Sequence, residues 1–128
     1  MRTSFSVLGS LTIAAVAFGA GALTSMSRGW GQPIAIIDIV NGSGQPVSMV
    51  TVQFDTCGHR GSIQAGALAA SASTQVRYIV CGEGSQTVIA DFGDGSNVAS
   101  ISYVESGYRV TERISRDAIS QHTDLGLR

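Results

Sequence analysis

The chain holds two cysteines and two histidines, and these are the side chains with the most chemistry to offer. Cys57 and His59 lie two residues apart, Cys81 comes later, and His122 stands near the C-terminus. Thiolate and imidazole suit zinc or copper. The paired C-x-x-C or H-x-x-x-H spacing of a strong metal site is missing, however, and so is the C-x-x-C of a thioredoxin-like centre. In an oxidising compartment an even pair of cysteines reads first as a disulfide. Closing the loop from Cys57 to Cys81 would be worth ~3 kcal/mol in the chain-entropy model. Each cysteine ends an expected strand and is followed by glycine. Joining them puts two downstream strand ends together, which adjacent antiparallel strands cannot do. Strands one apart in a flat sheet lie ~9–10 Å from each other, beyond the ~7 Å Cα limit. A Cys57–Cys81 bond therefore predicts strands that meet across two sheets or through their loops.

The other candidates offer less. Asp91-Phe-Gly93 has the letters of a kinase metal motif without its other parts. Asp91, Asp94 and Asn97 lack the D-x-D-x-D-G order of a calcium loop and suit a hairpin turn. Gly42-Ser-Gly44 and Gly82-Glu-Gly84 lack the rest of a phosphate-binding fingerprint. No serine stands in a G-x-S-x-G setting, and neither histidine has an expected carboxylate partner. The reading is non-catalytic, with no cofactor. Arg109, Glu112 and Arg113 make the last expected strand the most charged part of the body. They read as a solvated edge strand, and as a docking edge for a partner if one is used.

The elements that must position these residues are strands. Ile34–Val40 is apolar on both faces except Asp38, so it should be covered on both sides. After the 41–46 turn, Val47–Cys57 alternates, with Val50, Val52 and Phe54 on the core side. Gly58–Gly61 reads as a turn. Residues 62–73 are rich in Ala and Ser and suggest only a short strand or irregular crossing around Ile63 and Leu68. Thr74–Cys81 places Val76, Tyr78 and Val80 together. Gln86–Phe92 places Val88, Ala90 and Phe92 together. Gly93-Asp-Gly-Ser96 is a strong hairpin signal. Val98–Val104 puts Ile101 and Tyr103 on one face, and Tyr108–Ile114 aligns Tyr108, Val110 and Ile114. Residues 115–128 read as a polar, frayed tail with at most one helical turn near Asp117–Gln121.

That pattern of six or seven short antiparallel strands predicts an all-β sandwich, with an immunoglobulin-like arrangement as the default. The segment from Ile37 to Phe54, IDIVNGSGQPVSMVTVQF, resembles the opening of carboxypeptidase-regulatory-like β-sandwich modules. Its S-G-x-P-V turn precedes an alternating strand, and the resemblance implies a β-sandwich.

The N-terminus sets the compartment. Ser4 to Ser27 carries no charge and lies between Arg2 and Arg28. A membrane span needs ~20 mainly apolar residues, which this stretch supplies, with Trp30 just beyond at an interfacial position. Small residues four apart, Ala15/Gly19 and Ala17/Gly21, would let another helix approach closely. Alternatively, Arg2, the apolar run and Ala20-Gly21-Ala22 form a signal peptide cleaved after Ala22. Either way the body is exported, and the cysteine pair becomes a staple. Residues 1–27 thus read as a signal anchor, 28–33 as a linker, 34–114 as the extracytoplasmic domain and 115–128 as a tail.

A formal net charge of −1 gives no electrostatic footprint for nucleic acid. The expected function is a non-catalytic, single-pass accessory subunit, with its N-terminus inside, whose β domain docks on an integral membrane protein complex. One alternative is a secreted or periplasmic module that binds a ligand through loops 58–61 and 93–97. Another is a metal-handling or redox protein using Cys57, His59 and Cys81.

Overall fold

A computed structural model describes residues 33–124. The membrane or signal segment, with Ala15, Ala17, Gly19 and Gly21, lies outside the described residues. Eight strands follow in order: β1 Ile34–Asn41, β2 Val47–Thr56, β3 His59–Leu68, β4 Ser73–Ile79, β5 Glu83–Asp91, β6 Asn97–Glu105, β7 Arg109–Ile114 and β8 Ile119–Asp124. They form two four-stranded sheets, β4-β1-β7-β8 and β3-β2-β5-β6. No helix occurs among the described residues.

The sandwich is as the alternation predicts. Ala35, Ile37 and Ile39 from β1, Val76 and Tyr78 from β4, and Val110 and Ile114 from β7 line the inner side of the first sheet. They meet Val47, Val50, Val52, Val88, Ala90 and Val104 of the second, and all are buried. Val47 and Val50 are both buried although three apart. A register shift between β2 and β3 lies between them and resets the alternation. On β1 the outward residues Ile34, Ile36 and Val40 are half-buried. Ile36 sits between Arg77 and Arg109 in the register, and long arginine stems cover apolar surface well.

Three expectations are corrected. The strand order is not the immunoglobulin one, in which the first two strands share a sheet. Here β1 and β2 lie in opposite sheets, so the 42–46 turn crosses the sandwich instead of closing a hairpin. Asn41 makes that crossing possible. Its Nδ2 donates to the carbonyls of Gln45 at 2.7 Å, Leu68 at 3.0 Å and Ala69 at 3.1 Å, while its Oδ1 accepts from the Ser43 amide and hydroxyl. Second, the pairing is not wholly antiparallel, because β1 runs parallel to β7 from Ile36↔Arg109 to Asn41↔Ile114. Third, residues 119–124 are neither tail nor helical turn. They form β8, paired antiparallel with β7 from Arg109↔Asp124 to Ile114↔Ile119. The turn before it is held by Ser115, whose Oγ donates to the Ala118 carbonyl at 2.7 Å.

The 59–68 segment is a full strand despite its composition, bent at Gly66, which has φ +88°. The turn before it is tighter than expected. Cys57 and Gly58 alone connect β2 to β3, with φ of 58° and 69°, the pattern of a two-residue hairpin with both central residues left-handed.

Candidate functional site

The two cysteines are joined. Cys57 lies at the β2–β3 turn of the second sheet and Cys81 just past β4 of the first, with Cα atoms 5.0 Å apart. The bond links the two sheets through the residues just beyond β2 and β4, within the arrangements the strand-end argument allows. Thr56 supports it, accepting from the Cys81 amide at its Oγ1 at 3.1 Å. His59 begins β3 and is exposed, while His122 is exposed on β8 of the other sheet. No cluster of three or more metal-ligating side chains occurs among the described residues.

The docking edge is corrected. β7 is an interior strand between β1 and β8, so it offers no free edge. Arg109 and Arg113 do point outward. Arg109 Nε donates to Asp38 Oδ2 at 2.7 Å, and Asp38 also accepts from Gln75 Nε2 at 2.6 Å. Partial burial acts to raise the Asp38 pKa, but the bonds from Gln75 and Arg109 outweigh it and leave it lowered.

Glu112 points inward and is fully buried. It shares the face of Val110 and Ile114 and takes three hydrogen bonds across the sandwich. Gln86 Nε2 donates to Oε1 at 3.1 Å, Ser102 Oγ to Oε1 at 3.4 Å, and Ser100 Oγ to Oε2 at 3.1 Å. Tyr78 OH donates in turn to Gln86 Oε1 at 2.6 Å. No arginine is among these partners. Burial therefore dominates and raises the Glu112 carboxyl above its ordinary value, with the three donors pulling the other way. Burial, then the nearby Glu112 carboxylate, also pushes the Tyr78 phenol up.

This network decides which way β6 faces. Ser100 and Ser102 turn inward to meet Glu112, so Ile101 and Tyr103 turn outward, 81% and 50% exposed. With Ile79 on β4 they are the exposed large hydrophobics of the described residues. Tyr103 OH reaches Glu105 Oε1 at 2.6 Å and Glu83 Oε2 at 3.0 Å, and its ring meets Tyr108 edge to face at 6.4 Å. Glu105, then partial desolvation, then Glu83 raise the Tyr103 pKa.

Ile101 and Tyr103 belong to the outer face of the second sheet. The register there aligns Arg60, Asp55, Ser85 and Tyr103 in one row and Ser62, Gln53, Thr87 and Ile101 in the next. An open recess of about 540 Å³ lies at the β3 side, lined by Gln53, Asp55, Arg60, Ser62 and Ser85, with Phe54 and Gly61. Arg60 Nε donates to Asp55 Oδ2 at 2.8 Å across its mouth. Phe54 stacks on Tyr78 with ring centres 4.6 Å apart. A Cβ on Gly61 would stand 2.3 Å from Phe54 Cζ, so only glycine admits the ring there. The recess gathers Arg60 and Gly61 of the expected 58–61 loop. The 93–97 loop is at the opposite end of β5 and β6, where Arg116 pairs with Asp94 and lies 4.4 Å over the Phe92 ring.

Comparison with known proteins adds fold alone. No family model matches the sequence, and no curated protein does. The domain is similar to an NMR structure of a protein from Eubacterium rectale, at 14% identity and a TM-score of 0.50, covering 70% of this chain and 89% of that one.

Proposed function

We propose that the chain is a non-catalytic, extracytoplasmic binding subunit, held at a membrane by Ser4–Ser27, which engages a protein of a membrane complex through the outer face of β3-β2-β5-β6. One observation carries this reading. That face combines the open recess with Ile101 and Tyr103, side chains whose exposure costs solvation and that contact with a partner would cover. The cross-sheet disulfide supports the compartment, because such bonds persist where thiols are oxidised.

The test uses the full chain in its native membranes. A photo-crosslinking residue at Tyr103 should give a discrete protein adduct, and one at Ser120 on β8 should give none. The chain should fractionate with membranes and keep its N-terminal segment. Recovery as a soluble protein beginning at Leu23 would replace the anchor with a released binding module. Equal labelling from both positions would remove the outer face as the binding surface.

A further inference from the structure

The three exposed large hydrophobics share a feature beyond exposure. Ile101 and Tyr103 lie on β6 and Ile79 on β4, and both strands are edges, on opposite sheets. β3 packs beside β4 along one flank of the sandwich, and β6 beside β8 along the other. The two apolar edges are therefore diagonal to each other. The other two edges are less open to strand addition: β3 is interrupted by the Gly66 bulge, and β8 presents Ser120, His122 and Asp124 with no exposed large apolar side chain, whereas β4 sets its one charge, Arg77, beside Ile79. β6 has no such defence, since residues 98–104, VASISYV, contain no charge, glycine or proline.

From this we infer that copies of the domain associate head to tail, the β6 edge of one adding to the β4 edge of the next. The occupant follows from complementarity. With the strands antiparallel and Ile79 opposite Ile101, Arg77 falls opposite Tyr103 and Gln75 opposite Glu105. Ile79 and Ile101 cover each other. Arg77 meets the Tyr103 ring beside Glu83 and Glu105, the carboxylates already gathered at its hydroxyl. The wider surfaces agree in sign. The outer face of the second sheet carries Asp55, Glu83, Asp91 and Glu105 against Arg60. The outer face of the first carries Arg77, Arg109 and Arg113 against Asp38 and Asp124. A two-fold β6–β6 pairing would instead bring Glu105 toward the Asp91 end of its partner and leave Ile79 bare. A head-to-tail contact uses different surfaces on its two sides, so it repeats along a line unless the rotation closes a ring.

This assembly deepens the binding reading by naming a second copy as one occupant of the β6 side of the face. The experiment uses full-length chains in membranes, carrying Ile79→Cys or Ile101→Cys. Directly opposed positions on paired strands bring Cβ atoms within ~5.5 Å, close enough for oxidative crosslinking. Mixing the two variants should give a crosslinked dimer about tenfold above either variant alone, and the double variant should give a ladder. Adding Arg77→Glu to the Ile79→Cys chain should lower the yield about fivefold, and Glu105→Arg on its partner should restore it. Crosslinking of Ile101→Cys alone as strongly as the mixture would overturn the inference in favour of a two-fold dimer. Silence in every combination would overturn it too. If Tyr103 then still labels a foreign protein, the self-assembly fails while the binding reading stands.

Discussion

Replacing Glu112 by Gln should stabilise the domain at neutral pH and flatten its pH dependence. The carboxyl is fully buried, and its partners Gln86, Ser100 and Ser102 are all neutral. Ionised, it keeps three hydrogen bonds, each worth about 1.5–3 kcal/mol to a charged acceptor, against a desolvation penalty of several kcal/mol with no counter-charge. The raised pKa means that the penalty wins. Its sign is the reverse of the usual carboxylate. A folded pKa above the unfolded value makes the native state hold the proton more tightly, so stability falls as pH rises through the window between the two. The gain is complete below the unfolded value of about 4.3 and is lost above the folded one. Glutamine keeps the shape and an accepting oxygen and removes the charge. Glu112→Gln should therefore gain about 1–2 kcal/mol at pH 7.5, a rise of roughly 4–10 °C in Tm, and little at pH 4.5. Urea titrations followed by circular dichroism at intervals from pH 4.5 to 8 read this directly. Asp38, with its lowered pKa, loses its contribution only as pH falls below the ordinary carboxylate range, outside that window. A wild-type domain that weakens steadily from pH 7.5 to 4.5, or a variant with the wild-type slope, would refute the reasoning.

Reducing the Cys57–Cys81 bond, or replacing both cysteines by alanine, should cost about 3 kcal/mol, seen as a lower urea midpoint. Gly61→Ala should lower Tm, because the new methyl displaces Phe54 from its stack on Tyr78. The loss should be about 1–3 kcal/mol, and near-ultraviolet circular dichroism should report the lost ring packing. Asn41→Asp should destabilise by at least about 3 kcal/mol, since a carboxylate would face the carbonyls of Gln45, Leu68 and Ala69 that the amide now satisfies. Hydrogen exchange should then quicken in the 42–46 and 69–72 turns before it does in β2.

The fold was legible where alternation was clean. Val50 and Val52 on β2, Val76 and Tyr78 on β4, and Val88 and Ala90 on β5 all point into the core as their spacing predicts. The cysteine positions carried topology as well, because two downstream strand ends could be joined only across two sheets or through their loops. Elsewhere the signal depended on partners distant in sequence. Arg109, Glu112 and Arg113 looked like one charged edge because a strand pattern does not say which strands flank it. β8 supplies the missing neighbour, and its polar residues ISQHTD resemble a tail until they are paired. On β6, hydrophobicity favours the Ile101–Tyr103 face as core, and the structure takes the opposite face. The clue was present in Ser100 and Ser102, two residues apart, with Gln86 and Glu112 among the other polar residues at inward positions. No local rule links those four. The recess was half visible: the turn residues before Gly61 were identifiable, but the outer rows that complete it come from β5 and the β2–β3 register.

The parallel pairing of β1 with β7 has a consequence in time. A chain delivered from its N-terminus presents Ile34–Asn41 first, yet Ile36 finds its partners only at Arg77 and Arg109. The second sheet can grow by local closure, since β2–β3 and β5–β6 join through short turns. In the first sheet β7 and β8 also close locally, but β1 waits for nearly the whole domain to gain its second flank, because bringing distant strands together must be met by entropy before contact repays it. Until β7 emerges, one of the most apolar strands of the domain lacks a flank, and the vulnerable interval of this protein is set by the distance its first strand must wait for its last neighbour.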